Sequence, residues 1–445
     1  MPTIIPAEPG THDRAESRLV TDVVVVGGGP AGSAAAITLA RAGRDVVLVD
    51  KATFPRDKCC GDGLTAGALH SLEHLGLDPA RVPSWHVVDD VVLRGPGGAE
   101  VTFPLPRGLG QFAAVARRAE LDAALLDVAR AAGATVHTGH AFVGVRPGAD
   151  RIALDVEGLG WVVARYAIGA DGMWSPLRKA LGAGEPGYLG EWHAFRQYFD
   201  HVGERAATEL YCSFEHDLLP GYFWSFPVGD GQANVGFGIR RDGVRRVQEM
   251  RSLWPELLER PHVRAFLGDD AVPSEPHRAW PIPARVGATR PTHGRALFVG
   301  DAQAATDPLT GEGIGQALET GIWAAEAIVA AGAYDDDQVR ARYERAVRRG
   351  LVADHWLADR LSSVLGTERG ADGSIALAGT SAWTRRNFAR WLFEDYPRAV
   401  LGTPGRWRRG LFHHPGAYRE QATATRQATA IAGSSRPHRG VTAAQ

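Results

Sequence analysis

Asp22-Val-Val-Val-Val26-Gly27-Gly28-Gly29-Pro30-Ala31-Gly32 is the stretch on which the fold turns. Its four valines form an uninterrupted apolar run, the pattern of a strand buried on both faces, and Gly27 ends it. Residues 27–32 fit G-x-G-x-x-G. In that pattern Gly27 permits a tight turn and Gly29 lets the backbone approach a pyrophosphate. Gly32 lets the following helix pack closely on the strand, with its N-terminus toward the phosphates. Residues 33–42 read as a helix of small side chains closed by Gly43, and 44–50 as a second apolar strand. Strand, turn, helix and strand make a βαβ unit and imply a parallel sheet. Asp50 ends the second strand 18 residues beyond Gly32, where an acid accepts hydrogen bonds from a ribose hydroxyl. A glycine-rich hexamer alone is a common loop; this context makes it a dinucleotide site.

Outward from that unit, the spacing of Leu121, Leu125, Leu126 and Val128 predicts a helix over 115–132. Strand-like pieces follow at 135–145, 152–156 and 161–168. Between 192 and 239 aromatic and polar residues alternate, as in an antiparallel sheet with one exposed face. A buried strand returns at 296–300, a helix covers 313–331, and the chain beyond Asp335 reads as largely helical. The fold class is therefore α/β. A Rossmann-like domain with a parallel sheet is expected over 21–185, with a return segment at 286–335. An antiparallel substrate domain takes 186–285 and a helical region 336–420. Residues 1–20 read as a flexible lead-in, and 421–445, rich in Ala, Thr, Ser and Gly, as a disordered tail.

A chain of 445 residues, 44% hydrophobic and 22% charged, has enough apolar material for two or three domains. Its formal charge of −2 gives no electrostatic case for nucleic acid. The cysteines are Cys59, Cys60 and Cys212; an odd number with two adjacent argues against a disulfide framework. No Cys or His cluster has ligand spacing, so no metal is expected. There is no apolar run of spanning length and no apolar stretch of a secretory signal, so a cytoplasmic location is expected. Nothing in the sequence sets an oligomeric state.

Which dinucleotide is bound is decided far downstream. Leu297-Phe-Val-Gly-Asp301, followed by Asp307-Pro-Leu-Thr-Gly-Glu-Gly313-Ile314-Gly315, is a strand, a polar turn and a glycine-led helix. Asp301 at the strand end suits a ribityl chain, or else caps the helix. The helix N-terminus at Gly313 and Ile314 suits a flavin's pyrimidine oxygen. Further segments stand out: Phe54-Pro-Arg-Asp-Lys-Cys-Cys60-Gly61-Asp62-Gly63-Leu64, Arg118-Ala-Glu-Leu-Asp122, Gly169-Ala-Asp171-Gly172 and Pro220-Gly-Tyr222-Phe-Trp224-Ser-Phe226-Pro227. With these, the chain resembles the geranylgeranyl reductase family within the fold group of aromatic hydroxylases. The last segment is similar to that family's Y-x-W-x-F-P motif, and no matching motif lies beyond about residue 330.

The resemblance implies FAD contacts at Ala31, Asp50, Cys60, Gly61, Gly63, Arg118, Asp301, Gly313 and Ile314, with backbone contacts at Phe142. Asp171 lies in a motif that serves flavin and pyridine nucleotide in the wider fold group. Physically, Arg118 is either a fork for a phosphate or flavin oxygen or the partner of Asp122. Cys60 is either a chemical participant or a structural thiol. Tyr222, Trp224 and Phe226 share one strand face and either wall an apolar substrate channel or form sheet core; Cys60, Tyr222 and Trp224 are the candidate catalytic residues. The implied reaction is reduction of a carbon–carbon double bond in an isoprenoid or polyene by hydride from reduced flavin. NAD(P)H or a reduced carrier protein would supply the electrons. A flavin monooxygenase is the rival reading, although the G-W-x-W-x-I-P segment of halogenases is missing; a non-redox cyclase with structural FAD is a third. Arg385, Arg386, Phe388, Arg390, Trp391, Leu392 and Phe393, then Trp407, Arg408, Arg409, Leu411 and Phe412, mix cations with bulky apolar groups. They suit either peripheral membrane contact or helices with one buried side.

Overall fold

In the computed structural model, residues 18–243, 245–331, 335–407 and 414–419 are described. The expected tail, most of the lead-in, and Arg408, Arg409, Leu411 and Phe412 lie outside them. Within the described residues the chain builds a mixed α/β fold with a helical C-terminal region. Its six-stranded sheet runs in the order Thr292–His293, Ala296–Phe298, Tyr166–Gly169, Val23–Val26, Val46–Asp50, Thr135–Thr138, parallel except for its first strand. All four residues of Val23–Val26 are buried, as a strand covered on both faces requires.

The helix after the glycine turn is Pro30–Arg41 rather than 33–42. Proline suits a first helical position because its fixed φ is already helical and no intrahelical partner awaits its missing N–H. Across this helix lies Ile314–Ala330. A Cβ on Gly321 would sit 2.2 Å from the Ala31 carbonyl oxygen, so the two helices cross with backbones nearly touching.

Two expected strands each prove to be two. The stretch 135–145 divides into Thr135–Thr138 and Phe142–Pro147, because Gly139, at φ +80°, turns the chain out of the parallel sheet. The stretch 161–168 divides into Gly160–Ala164 and Tyr166–Gly169; Arg165 is the crossing point, its N–H donating to the Asp22 carbonyl. Phe142–Pro147, Ile152–Val156 and Gly160–Ala164 form a meander. Arg18–Val20, from the end of the expected lead-in, joins it as a parallel edge strand.

The antiparallel sheet expected over 192–239 is present as Trp192–Asp200, Leu210–Ser213, Tyr222–Gly229 and Gln232–Arg240. It is extended by Asp90–Arg94 and Glu100–Pro104, drawn from the N-terminal third. One face buries Phe195, Phe223 and Phe237 against the helices Met250–Leu258 and Pro261–Leu267. The other does not meet water as a polar face would; it closes over a cavity. The helices Ala353–Leu365, Glu368–Ala378 and Ala382–Leu392 wall the far side of that cavity.

Candidate active site

The cavity holds about 1500 Å³ and runs from the glycine turn, past the aromatic sheet face, to the C-terminal helices. A pocket for one small molecule is roughly 300–1,000 Å³, so this one has room for a dinucleotide and a second ligand.

Gly27, Gly29, Ala31 and Asp50 line one end. Gly27 is at φ +109°, and a Cβ there would meet the Ala170 carbonyl oxygen at 2.3 Å. Gly32 is not on the wall: its missing Cβ would lie 1.8 Å from the Gly27 carbonyl oxygen, so it serves the strand–helix packing behind the turn. Gly29, in contrast, faces open space, with Arg56 and Arg118 nitrogens 3.7 and 3.8 Å from a Cβ. The Asp50 carboxylate accepts from Gly28 N at 2.6 Å and Ala52 N at 2.8 Å, leaving lone pairs for ribose hydroxyls.

Cys60, Gly61 and Gly63 pass along the middle of the wall against Trp224 and Phe226. Burial pushes the Cys60 thiol up to about 11 and its neighbour Cys59 up to about 12, so neither is a thiolate at neutral pH. Arg118 is on the wall too, but its fork is engaged: Nε and Nη2 donate to the buried Asp122 carboxylate at 2.9 and 2.8 Å. The Tyr222 hydroxyl donates to the Thr310 carbonyl and Trp224 Nε1 to Asn234 Oδ1 at 3.2 Å, so both rings are pinned on the cavity wall.

Phe142, Asp171, Asp301, Gly313 and Ile314 complete the expected set on the same wall. Asp171 is turned inward, accepting from Ser175 Oγ at 2.7 Å and Leu177 N at 2.9 Å at the start of the helix Pro176–Ala180. Asp301 is not the cap of Ile314–Ala330: that position belongs to Gly313, which offers no side chain. The helix N-terminus therefore opens on the cavity beside Asp301. A glycine cradle, a strand-end acid and a helix N-terminus whose Gly313 offers no side chain, all on one wall, fit FAD. Gly29, Ala31 and Asp50 would hold its adenine nucleotide end, and Asp301, Gly313 and Ile314 its flavin end.

Fold and site together define an FAD-dependent oxidoreductase. Residues 20–336 match the FAD binding domain family. Menaquinone reductase of Mycobacterium tuberculosis is 38% identical over 68% of this chain and 76% of its own length. Digeranylgeranylglycerophospholipid reductase 2 of Methanopyrus kandleri is 34% identical over 72% and 80%. A geranylgeranyl bacteriochlorophyll reductase-like protein of Thermoplasma acidophilum shares the fold, with a TM-score of 0.74, 22% identity and coverage of 88% of this chain and 100% of that one. The chain belongs to the geranylgeranyl reductase family of FAD-dependent oxidoreductases.

Several residues at the site had no role in the sequence reading. Asp62 (φ +64°) is fully buried, accepting from Arg118 N at 3.3 Å, Asn234 Nδ2 at 2.8 Å and the Tyr198 hydroxyl; burial pushes its carboxyl up to about 6. Asn234 Nδ2 also donates to the Cys60 carbonyl at 2.8 Å. Asn234 thus latches the Cys60–Gly63 strap to the aromatic sheet, and an asparagine inside the apolar strand Gln232–Arg240 was the signal for it. Asn234→Leu leaves a buried carboxylate and carbonyl short of donors. It is expected to cost roughly 2–3 kcal/mol, read from urea unfolding.

Asp307 Oδ1 accepts from Leu309 N, Thr310 N and Thr310 Oγ1, and Oδ2 pairs with Arg398 at 2.9 Å, both residues 2% exposed on their side chains. Arg398 also reaches Glu394, so the C-terminal region braces the loop before the helix Ile314–Ala330. No local pattern marks residues so remote in sequence. Glu312 lies on the cavity wall in that loop, its Oε1 accepting from Gly315 N at 2.7 Å. Burial and the nearby Glu394 carboxyl push it up to about 8, so the two buried carboxyls together hold on to a proton that free carboxyls would lose.

Proposed function

We propose that this enzyme reduces carbon–carbon double bonds of an isoprenoid chain or similar polyene. Residues 21–185 and 286–335 would bind FAD, 186–285 would shape the substrate site, and 336–420 would close it. The observation that carries the reading is the continuity of one cavity. It leads from the dinucleotide end, past Tyr222, Trp224 and Phe226, to an apolar reach bounded by Leu361, Ile375, Trp391 and Phe393. A long, thin apolar substrate fits such a space, and the names of the two relatives point the same way. Bound FAD, reduced by NAD(P)H or a carrier protein, would supply hydride to one alkene carbon.

The chain's own share is to orient, to exclude water and to hold a proton. Trp224 and Tyr222, fixed by Asn234 and Thr310, present flat apolar faces for an alkene to lie on. Cys60, neutral at working pH, adds a small soft surface to that wall. The second alkene carbon needs a proton, and Glu312 is the member of the proton-holding carboxyl pair that reaches the cavity wall. Anaerobic reduction by NADPH, NADH or a ferredoxin system, followed by mass analysis of a polyprenyl substrate, tests the reading. It predicts a gain of two hydrogens per double bond. A gain of oxygen in air would mean a monooxygenase, and an unchanged mass with turnover a cyclase.

Peripheral membrane contact fits this function through Trp407, which is 58% exposed among the expected residues, and through further residues that were not expected. Phe388 lies against Phe103, Trp391 against Phe388, and Arg390 is buried beside Asp395, so much of the Arg- and Trp-rich helix faces inward. Val364, Leu377 and Trp383, in contrast, line the cavity and are 51%, 72% and 66% exposed, an apolar rim through which a lipid-dissolved chain can pass. Among the described residues no helix is long and apolar enough to cross a membrane. The protein is expected to sediment with phosphatidylglycerol-containing vesicles, and Leu377→Ser with Trp383→Ser to weaken this several-fold. A protein that stays in the supernatant removes the idea.

A further inference from the structure

Away from the cavity, three segments distant in sequence bring two imidazoles and a carboxylate together. His70 is at the middle of the helix Ala66–His74, Asp395 follows the helix Ala382–Leu392, and His414 opens the described stretch 414–419. One ligand atom from each lies within 4.8 Å of the other two. The ring centroids of His70 and His414 are 5.7 Å apart, and His414 Nδ1 is 3.4 Å from Asp395 Oδ1.

Internal hydrogen bonding leaves this group incomplete, although His414 Nδ1 also lies 3.3 Å from the Pro415 carbonyl oxygen, a contact that a metal would displace. The Asp395 side chain has no exposed surface; Arg390 takes Oδ2, while Oδ1 has no hydrogen-bond partner among the described residues. His70 Nδ1 lies 3.7 Å from Glu73 Oε2, whereas its Nε2 is buried and likewise without a partner. Buried polar atoms are seldom left so, and two in one cluster call for a third body.

We propose that His70 Nε2, Asp395 Oδ1 and His414 Nδ1 bind a divalent transition-metal ion, of which Zn²⁺ suits the donor set best. Two imidazole nitrogens and one carboxylate oxygen are a common zinc ligand set, with a fourth tetrahedral position for water. Metal–ligand bonds of about 2.1 Å place tetrahedral donors about 3.4 Å apart, the spacing already present between His414 and Asp395. The surroundings also suit a metal: Glu73 stands behind the His70 ring, and Arg390 holds the far oxygen of Asp395. The ligands come from positions 70, 395 and 414, so no spacing rule could reveal them.

An ion here would act as a staple. Gly416 N donates to the Leu109 carbonyl, Ala417 pairs with Gln111, and Tyr418 N donates to Glu73 Oε1 at 2.8 Å. The metal would lock this return segment and the end of the cavity-lining helix Ala382–Leu392 to the helix Ala66–His74, fixing the C-terminal wall of the cavity.

The test uses the full-length FAD-loaded protein, stripped with a chelator and titrated with Zn²⁺. Expected are one retained equivalent by elemental analysis and a rise in Tm of roughly 3 °C at saturation. His70→Ala and His414→Ala should each lose both, with FAD content unchanged as the sign of an intact fold. Sub-stoichiometric metal, an unmoved Tm, or Zn²⁺ bound equally well by the two variants overturns the proposal. None of these readouts depends on turnover, so its failure is distinct from that of the reductase reading.

Discussion

Gly29→Ala is expected to yield a folded protein that holds its FAD more weakly. Gly29 has an ordinary extended backbone, φ −76° and ψ −172°, which alanine adopts without strain. The nearest atoms to an added Cβ are side-chain nitrogens at 3.7 and 3.8 Å, normal contact distances, so the apoprotein has no reason to object. What the methyl group occupies is the place where a pyrophosphate must lie against the backbone. Overpacking of this kind costs about 1–3 kcal/mol, or roughly a 5- to 150-fold weaker Kd for FAD. Gly32→Ala separates the two roles. Its Cβ would fall 1.8 Å from the Gly27 carbonyl oxygen, backbone against backbone, so the turn itself must shift and Tm should drop along with flavin content. Absorbance of the purified protein and thermal unfolding of the apo form distinguish the outcomes. A Gly29→Ala protein as yellow as the wild type would show that the dinucleotide does not cross this turn.

The glycine turn was legible because each of its signals is local: a four-valine strand, a hexamer and a helix of small residues adjoin in sequence, and each constrains the next. The sheet over 192–239 was legible for the same reason, since alternation has its own period. Strand ends were not. Gly139 and Arg165 hand the chain from one sheet to another within an apolar run, and hydrophobicity is the same on either side of the transfer. Arg118 shows another limit: the sequence offered a phosphate fork or a partner for Asp122, and the structure adds the bidentate pairing at 2.9 and 2.8 Å while keeping the residue on the cavity wall. Asn234, Arg398 and Glu394 were out of reach because their meaning lies in partners 91 to 329 residues away, Cys60, Asp62, Asp307 and Thr65 among them. Glu312 was in plain view within a quoted motif. Its chemistry depends on burial and on a second carboxyl, neither of which a one-dimensional pattern displays.

Glu312→Gln carries the sharpest consequence for chemistry. Glutamine keeps an oxygen for Gly315 N and nearly the same volume, so the loop and the helix start should stand unchanged, while the removable proton is gone. If this group supplies the proton to the second alkene carbon, turnover under conditions where reduction of the substrate is limiting falls roughly 100-fold or more, the ordinary worth of a positioned general acid. Wild-type turnover should decline as pH rises through about 8, where the carboxyl is pushed by burial and by Glu394, and the residual rate of the variant should lack that limb. Stability offers a check independent of catalysis. A carboxyl whose pKa is raised by folding holds its proton more tightly in the folded state. Its stabilising contribution is complete below the unfolded value of 4.5 and is lost as pH climbs through about 8. Wild type and Glu312→Gln should therefore differ most above pH 8, with the variant gaining relative Tm there compared with pH 5. Since Glu394 shares the same buried space, the two carboxyls titrate as a pair, and Glu394→Gln should move the wild-type limb to lower pH by relieving the repulsion that raises Glu312. A pH profile untouched by either substitution would place the proton donor elsewhere on the cavity wall.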